Sequence, residues 1–328
     1  MLSQVVELIE TKQKFGITTH IKPDGDGVGS SLGLCWLLKS LGKSAEVIVH
    51  GEVPPAYRSL PGASEIRDVT AVDNQYDAIF VIECSDLERP GIKGLENEFT
   101  VNIDHHATSE HFGTINWIDS TASAVGEMIY NLCKAIGGRV TREIAECVYM
   151  ALVTDTGSFH FSNTTDRTLK VASELVKAGV KPAEVSEAVY NNYPWSRIEL
   201  MRQVLDTVKR DESGTVASLR QTLKMREIAG AIDGDNNGFV NIPLAAREIL
   251  AVVYMREVGS NEYRVSLRSK GDINVAKVAE KFGGGGHRNA SGLRIEGDWD
   301  AKEKELVEAV REAVERSSVD WVTDAPNA

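Results

Sequence analysis

The sequence predicts an α/β protein with two domains: an N-terminal domain whose mostly parallel sheet is flanked by helices, and a smaller α/β C-terminal domain. Short apolar runs alternate with helical patterns through the first half of the chain, which is typical of βαβ units. The length of 328 residues exceeds that of one average domain. A break lies between about residues 192 and 212. We therefore divide the chain into a domain of residues 1–192, a helical linker of residues 193–211 and a domain of residues 212–328.

The N-terminal segment contains the first strand–helix–strand unit. Residues 2–15 form an amphipathic helix, and residues 17–21 have the pattern of a strand. The loop of residues 22–27 contains a proline and two glycines, which end this strand with a tight turn. A helical pattern over residues 28–41 leads to a second strand at residues 45–50. This succession predicts a crossover between parallel strands.

The later elements are predicted from the same two periodicities. In the first part of the chain, strands are predicted at residues 77–83 and at a run that ends at Asp104, and helices at residues 122–136, 142–153, 168–178, 182–190 and 195–209. In the second part, strands are predicted at residues 215–219, 249–255, 263–268 and 293–295, with a helix over residues 277–282.

Charge and composition argue against several classes of protein. The net charge of −12 argues against binding to long duplex DNA, which depends on many phosphate contacts from Lys and Arg. No apolar run approaches the length needed to span a bilayer, and the charged N-terminus does not resemble a secretory signal. We therefore expect a cytoplasmic protein with no membrane partner. Cys35, Cys133 and Cys147 lie in apolar helical patterns. The sequence contains no CxxC pair, so it gives no indication of a zinc site built on such pairs.

Four segments end in side chains that commonly bind metals. They supply His20, Asp24 and Asp26, then Asp86, then Asp104, His105 and His106, and finally Asp155. Each residue alone is better explained as a cap or a turn residue, so the prediction depends on their combination. Imidazole and carboxylate ligands without thiolate suit Mn²⁺, Fe²⁺, Co²⁺ or Zn²⁺. Two such ions, roughly 3.5–4 Å apart, can orient a bridging hydroxide and neutralise a phosphoester.

A run of four glycines, residues 283–286, precedes His287 and Arg288 in the second domain. Four glycines in the middle of a domain would be costly unless the backbone must approach another group closely. Their amides could form an anion-binding nest, to which His287 and Arg288 add charge-assisted hydrogen bonds. The alternative is a helix cap followed by a turn. No GK[ST] sequence follows, so the run does not match a Walker loop.

Taken together, these segments resemble the DHH phosphoesterase family, whose C-terminal domain carries a GGGH motif. The resemblance spans most of the chain in order, and its segments are residues 20–26, Asp86, residues 104–106, residues 155–157, residues 266–269 and residues 283–292. It implies a cleft between the two domains. It also leaves a homodimer open as the assembly, although the sequence indicates no interface.

The resemblance assigns a role to each residue of the metal site. The implied ligands of two Mn²⁺ ions are His20, Asp24, Asp26, Asp86, His105 and Asp155. Asp86 would bridge the two ions, with Co²⁺, Fe²⁺ or Mg²⁺ as alternatives to manganese. Asp104 would hold the His105 ring in orientation. His106 would contact the scissile phosphate and assist the leaving oxygen. The implied catalytic residues are thus His106, Asp104 and Asp86.

In the second domain, the resemblance implies a site for the end of the substrate. The residues expected there are Arg268, Gly284, Gly285, Gly286, His287, Arg288 and Ser291. Arg268, His287 and Arg288 would bind the terminal phosphate or nucleotide, and their separation from the metals would select short substrates. Phe159 or Phe161 could stack a base, but each could equally belong to the core.

The function implied by the resemblance is manganese-dependent hydrolysis of phosphoester bonds. The expected substrates are short RNA or DNA oligonucleotides and 3′-phosphoadenosine 5′-phosphate (pAp), so the enzyme would be both an exonuclease acting on oligoribonucleotides and a bisphosphate nucleotidase. The alternatives are a phosphodiesterase of cyclic di-AMP or pApA, an exonuclease of single-stranded DNA, and a nucleotide-sensing module without catalysis. The acidic chain has no room for the added nucleic-acid-binding domain of the larger exonucleases, and the sensing module would be expected to lack ligands.

Overall fold

The structure, a computed structural model, describes residues 1–317. It divides into two compact units, the first of residues Met1–Asn192 and the second beginning at Tyr193. Each unit contains its own six-stranded sheet. No helix of the described range is long and apolar enough to cross a membrane. The predicted α/β class, with a parallel sheet followed by a second α/β unit, is confirmed.

The first unit is built on a sheet in which every strand runs parallel to its neighbours. Its strands are β1 (Lys14–Thr19), β2 (Ser44–Val49), β3 (Arg67–Asp68), β4 (Ala78–Ile82), β5 (Thr100–Asp104) and β6 (Ile115–Ile118), in the spatial order β3-β2-β1-β4-β5-β6. All positions of β4 and β5 are buried, as expected for central parallel strands covered on both faces. The strand order reverses between β1 and β4, and ligands of such sheets bind beyond the carboxyl ends of the strands at this reversal.

The helices of the first unit cover the sheet. They are α1 (Leu2–Thr11), α2 (Gly25–Ser40), α3 (Val125–Ala135), α4 (Arg142–Asp155), α5 (Asp166–Lys177) and α6 (Pro182–Tyr190). α2 packs closely on α4 at Gly29, where a Cβ atom would lie 2.5 Å from the carbonyl oxygen of Cys147. α2 begins three residues before its predicted start because the Asp24 side chain caps its first turn.

The second unit has a mixed sheet. Its strands are β7 (Lys209–Arg210), β8 (Val216–Gln221), β9 (Ala251–Gly259), β10 (Glu262–Ser269), β11 (Gly285–His287) and β12 (Ala290–Glu296), in the order β11-β12-β10-β9-β8-β7. Only β8 and β9 pair in parallel among these strands. The helices are α7 (Trp195–Leu205), α8 (Leu223–Ala229), α9 (Asn241–Leu244), α10 (Val275–Lys281) and α11 (Trp299–Glu315).

Two segments of the second unit differ from their predicted forms. The segment 193–211, expected as a helical linker, contains α7, whose Leu200 and Val204 are buried in a cluster with residues of β8 and β9. This helix therefore packs as part of the second unit. The glycine run, expected as a nest or a turn, includes the short edge strand β11. Gly285 and His287 lie opposite residues of β12, so part of the run pairs with a neighbouring strand.

Candidate metal centre

The carboxyl ends of three neighbouring strands bring polar side chains to one edge of the first sheet. His20 follows β1, Glu83 follows β4, and His105 follows β5. These strands are adjacent in the order β1-β4-β5 and parallel, so their ends lie side by side. The Nε2 atom of His20 lies 3.7 Å from Oε2 of Glu83. The candidate site therefore occupies the position at which the strand order reverses.

Asp24 and Asp26 lie at the start of α2, next to these strand ends. Oδ1 of Asp24 accepts two backbone N–H groups of the first helical turn, as an N-cap residue does. Asp26 is fully buried and accepts the N–H groups of Val125 and Gly126, at 2.6 and 3.0 Å, at the start of α3. Ser30 donates to it as well, at 2.6 Å. The amino ends of two helices thus hold these carboxylates in place.

His105 and Asp155 face Asp26 across the site. Nδ1 of His105 bonds the carbonyl oxygen of Ala122 at 3.1 Å, which directs Nε2 into the site. That atom lies 3.8 Å from Oδ2 of Asp26 and 3.6 Å from Oδ2 of Asp155. Asp155 is the last residue of α4, where Asn163 donates to its carbonyl oxygen at 3.1 Å and to Oδ2 at 3.4 Å.

Glu83 is a member of the site that the sequence analysis missed. It is 3% exposed, and its φ of +57° is rare for a residue other than glycine. The close approach of Gly27 leaves room for this side chain, because a Cβ atom on Gly27 would lie 3.1 Å from Oε2 of Glu83. A sequence signal was available: Glu83 directly follows the apolar strand β4, as His20 follows β1.

Asp86, expected to bridge two ions, has a different environment. Its Oδ1 accepts the backbone N–H groups of Glu88 and Arg89, each at 3.0 Å, and so closes the turn that follows β4. The turn lies beyond the strand end, and the buried carboxylate that reaches the other candidate ligands from this segment belongs to Glu83. The geometry therefore favours Glu83 over Asp86 as the shared carboxylate.

Three overlapping groups of donor atoms could each hold a cation. They are His20, Asp24 and Glu83; Asp26, Glu83, His105 and Asp155; and Glu83, His105 and His106. Within each group the donor atoms lie within 4.8 Å of one another. Glu83 belongs to all three. Oε2 of Glu83 and Nε2 of His105 are buried without a hydrogen-bond partner, which is expected of atoms whose partner is a metal ion.

The electrostatics of the site also fit a cation. Burial and the charges of Asp26 and Asp24 raise the pKa of Glu83 well above its ordinary value. Burial and the charge of Asp26 raise the pKa of Asp155 to about 7. Burial also raises the pKa of Asp26. Asp24 differs, because the nearby His20 ring and the backbone hydrogen bond from Gly27 outweigh its burial and lower its pKa to about 2. Carboxylates crowded in this way repel one another unless a positive charge is shared among them.

Asp104 orients His106, whereas the sequence analysis expected it to orient His105. Oδ1 of Asp104 lies 2.8 Å from Nδ1 of His106, and it also accepts the backbone N–H groups of His105 and His106. The His105 ring instead bonds the carbonyl oxygen of Ala122. The hydrogen bond that Nδ1 of His106 donates to Asp104 raises the pKa of His106 despite its burial, so the ring favours the charged form.

Two glycines of the run 283–286 are required by close backbone contacts. A Cβ atom on Gly284 would lie 2.3 Å from the carbonyl oxygen of Gly292, and one on Gly286 would lie 2.7 Å from that of Ala290. Gly285 faces open space. Gly284 and Gly286 therefore approach the backbone of β12 closely, as expected for the run, and Gly285 does not.

The other expected substrate-binding residues of this unit have different environments. Arg268 is half-buried, and its Nη1 donates to the carbonyl oxygen of Leu267. His287 and Arg288 are exposed, and Arg288 pairs with Asp272 at 2.8 Å. Ser291 is buried, and its hydroxyl donates to a carbonyl oxygen at the start of α10, which gives it a structural contact.

The two aromatic residues considered for base stacking are placed differently. Phe159 is half-buried, and its ring lies 6.1 Å from that of Tyr149. Phe161 is 56% exposed and contacts Gly157 in the turn after α4. Phe159 therefore contributes to packing, and Phe161 is the one of the two whose ring is largely open to solvent.

Comparison with known proteins shows which family the chain resembles over most of its length. The model of the DHH family N-terminal domain matches residues 14–152, and that of the DHHA1 domain matches residues 221–316. The chain is 36% identical over 304 residues to the bifunctional oligoribonuclease and PAP phosphatase NrnA of Thermus thermophilus, a match that covers 92% of this chain and 90% of that protein.

Solved structures share the fold. An exopolyphosphatase-related protein from Bacteroides fragilis superposes with a TM-score of 0.86 at 29% identity, covering 96% of this chain and 95% of that one. The manganese complex of RecJ from Thermus thermophilus gives a TM-score of 0.50 at 13% identity, covering 96% of this chain and 55% of that one. Because both domain models and the full-length relative match in the same order, the chain belongs to the DHH phosphoesterase family, with a DHHA1 domain after its N-terminal domain.

Proposed function

We propose that this protein hydrolyses phosphoester bonds in short oligonucleotides and in pAp, with two Mn²⁺ ions bound in the first unit. The observation that carries the proposal is the arrangement of two donor groups that share the buried carboxylate of Glu83. A carboxylate shared between two donor groups suits a pair of closely spaced ions. The substrate class is supported by the similarity to the oligoribonuclease and PAP phosphatase of Thermus thermophilus.

Two sets of residues would hold the ions. The first set is His20, Asp24 and Glu83, and the second is Asp26, Glu83, His105 and Asp155. Oxygen and imidazole donors without thiolate suit Mn²⁺, and the RecJ relative was crystallised with Mn²⁺. When bound, such ions neutralise phosphoester charge and lower the pKa of a water molecule. Compared with the sequence-based assignment, Glu83 would be the carboxylate common to both sets, in place of Asp86.

His106 would act on the substrate rather than orient another ligand. Its side chain is 35% exposed, and Asp104 holds Nδ1 at 2.8 Å. This bond leaves Nε2 free to donate to a phosphate oxygen and favours the charged ring. We assign His106 as the donor that contacts the scissile phosphate and supplies a proton to the leaving oxygen, with Asp104 as its positioning residue.

The DHHA1 unit would bind a phosphate or nucleotide of the substrate. Arg268, His287 and Arg288 would contact a phosphate or nucleotide, next to the backbone of Gly284–Gly286. Arg288 would exchange its exposed contact with Asp272 for a phosphate at little cost, because exposed ion pairs are weak. Ser291 would support β12 through its bond to α10 and would not contact the substrate.

A panel of substrates tests the proposal. Purified protein with Mn²⁺ is incubated with pAp, pApA, cyclic di-AMP, single-stranded DNA and RNA of two to five nucleotides, and initial rates are compared. Release of mononucleotides from short RNA and of phosphate from pAp is expected to be fastest. Preference for cyclic di-AMP or for long DNA would support one of the alternatives. Tight binding without turnover of any substrate would indicate a nucleotide-sensing module.

Two matched variants test the position of the shared carboxylate. Glu83→Gln keeps the size of the side chain and is expected to lower the rate by at least about a hundredfold, since it removes a charge common to both ion sites. Asp86→Asn makes the same chemical change in the turn after β4 and is expected to keep most of the activity. The reverse ranking would restore Asp86 as the bridging residue.

A further inference from the structure

One loop contacts two of the candidate ligands of the second ion. This loop, residues 119–124, joins β6 to α3 and is called here the β6–α3 loop. The carbonyl oxygen of Ala122 bonds Nδ1 of His105 at 3.1 Å. The carbonyl oxygen of Ser123 accepts a hydrogen bond from Asn163 at 3.0 Å, and the same amide group donates to Asp155. The loop thereby contacts His105 directly and Asp155 through one side chain.

The segment that directly follows the same loop holds a third candidate ligand of the second ion, Asp26. α3 begins directly after the loop, and its first amides, those of Val125 and Gly126, donate to the two oxygens of Asp26. These are the longest-range contacts of Asp26, because its other partner, Ser30, is on its own helix. A displacement of the loop would therefore move groups that hold Asp26, His105 and Asp155 together.

An ion pair between the buried carboxylate of Glu127 and the exposed Arg167 holds the β6–α3 loop. Glu127 is 1% exposed, and its Oε2 accepts the backbone N–H and the hydroxyl of Ser123 at 3.3 and 2.9 Å. Its Oε1 accepts Nε and Nη2 of Arg167, at 2.8 and 2.5 Å, from the first turn of α5. Nη1 of Arg167 donates to Oγ1 of Thr121 at 3.2 Å, in the same loop. Two N–H groups on one carboxylate give a charge-assisted bond with a defined direction.

The ligands of the first ion are held by other contacts. Nδ1 of His20 bonds the carbonyl oxygen of the next residue, and Asp24 accepts amides of its own helix turn. These contacts come from β1 and α2 and do not pass through the β6–α3 loop. The two ion sites therefore have different supports.

From this arrangement we infer that Arg167 and Glu127 are positioning residues that set the affinity of the second ion, the one held by Asp26, Glu83, His105 and Asp155. They act by fixing the β6–α3 loop. The inference rests on the proposed two-ion function. Residues that orient metal ligands typically contribute about 10–100-fold to metal affinity. Loss of the pair should therefore lower the affinity of the protein for the second ion much more than its affinity for the first.

The test is a titration of Mn²⁺ into the metal-free, full-length protein and its Arg167→Met variant. Isothermal titration calorimetry gives the two affinities, and electron paramagnetic resonance counts the bound ions. In the variant we expect one ion to bind about 10–100-fold more weakly and the other to stay within about threefold of the wild type. The matched control is Lys170→Met, which removes an exposed cation that pairs with Asp166 on the same helix. It should bind both ions as the wild type does.

Removal of Arg167 alone leaves a charge buried at Glu127, which destabilises the fold. If urea unfolding shows that Arg167→Met is not folded, the double variant Arg167→Met/Glu127→Gln, which carries no buried charge there, is titrated in its place. Unchanged affinity for both ions would overturn the inference, and so would equal weakening of both, which indicates a general structural role. Wild-type protein that binds no Mn²⁺ would overturn the proposed function together with this inference.

Discussion

The substitution Asp155→Asn should stabilise the metal-free protein while it removes a metal ligand. Asp155 ends α4 among Asp26, Glu83 and Asp24, and without a cation these carboxylates repel one another. The asparagine has nearly the same shape and carries no charge. The same change that damages the proposed ion site should thus relieve a cost to folding.

The size of the effect follows from the pKa of Asp155, which burial and the charge of Asp26 raise from 3.8 to about 7. In the range between these values, the folded protein binds a proton that the unfolded chain has lost, so stability falls as pH rises. At pH 8 this shift corresponds to about 4 kcal/mol at most. We expect about 2 kcal/mol, because the side chain remains 25% exposed and the asparagine is not ideally hydrogen-bonded. The advantage should shrink as pH falls below 7.

The assay is urea unfolding of wild-type and Asp155→Asn protein in EDTA at pH 8 and pH 5, then at pH 8 with Mn²⁺. In EDTA at pH 8 the variant should unfold at higher urea. With Mn²⁺ the order should reverse, because the wild type gains more binding energy than the variant, which lacks one ligand of the second ion. Asp166→Asn is the matched control: its side chain is 78% exposed, and the change should cost less than about 1 kcal/mol. A variant less stable than the wild type in EDTA at pH 8 would refute the argument.

Three further outcomes follow from other parts of the molecule. Mn²⁺ at a hundred times its Kd should raise the free energy of unfolding by about 2.7 kcal/mol, and a transition that is the same in EDTA and in Mn²⁺ would contradict a metal site. Gly284→Ala should lower the free energy of unfolding by about 2 kcal/mol or more, because its Cβ would lie 2.3 Å from the carbonyl oxygen of Gly292. A Cβ atom at Gly285 would face open space, so Gly285→Ala should change the free energy of unfolding by less than about 0.5 kcal/mol. Arg268→Ala should raise the KM for short RNA about tenfold without changing Mn²⁺ affinity. The control Arg294→Ala, which removes an exposed arginine on β12, should change neither quantity. Equal effects of the two substitutions would argue against a substrate contact at Arg268.

The parallel sheet and the general position of the site could be predicted from the sequence. Apolar runs of five or six residues, each followed by a polar side chain, predict strands whose ends meet at one edge. What this pattern could not determine is which acidic residue after β4 faces the others. Glu83 and Asp86 are three residues apart, and the choice between them depends on a backbone φ of +57° at Glu83. A left-handed residue is not expected at a glutamate from local propensity.

Contacts between distant segments could not be read from the sequence either. Asp104 and His105 are adjacent, but Ala122 rather than Asp104 bonds the His105 ring. Likewise, the contact of Arg167 with Glu127 joins residues 40 positions apart. Periodicity describes which face of an element is buried and does not specify such side-chain pairs. The glycine run shows the same limit, because its role depends on which strand lies opposite.

The backbone at Glu83 has a consequence for how this site can change over time. A single-base change turns a glutamate codon into an aspartate codon, and aspartate is tolerated in the left-handed region better than glutamate. The exchange would ease a conformation that costs about 1–3 kcal/mol, yet it would shorten by one methylene the side chain that joins all three donor groups. A single mutation would therefore introduce a residue that adopts this backbone conformation more easily. Its shorter side chain, however, would not bring the carboxylate to the same position. An aspartate here would require β4 and α2 to move closer together, so the residue at this position and the spacing of these two elements should change jointly.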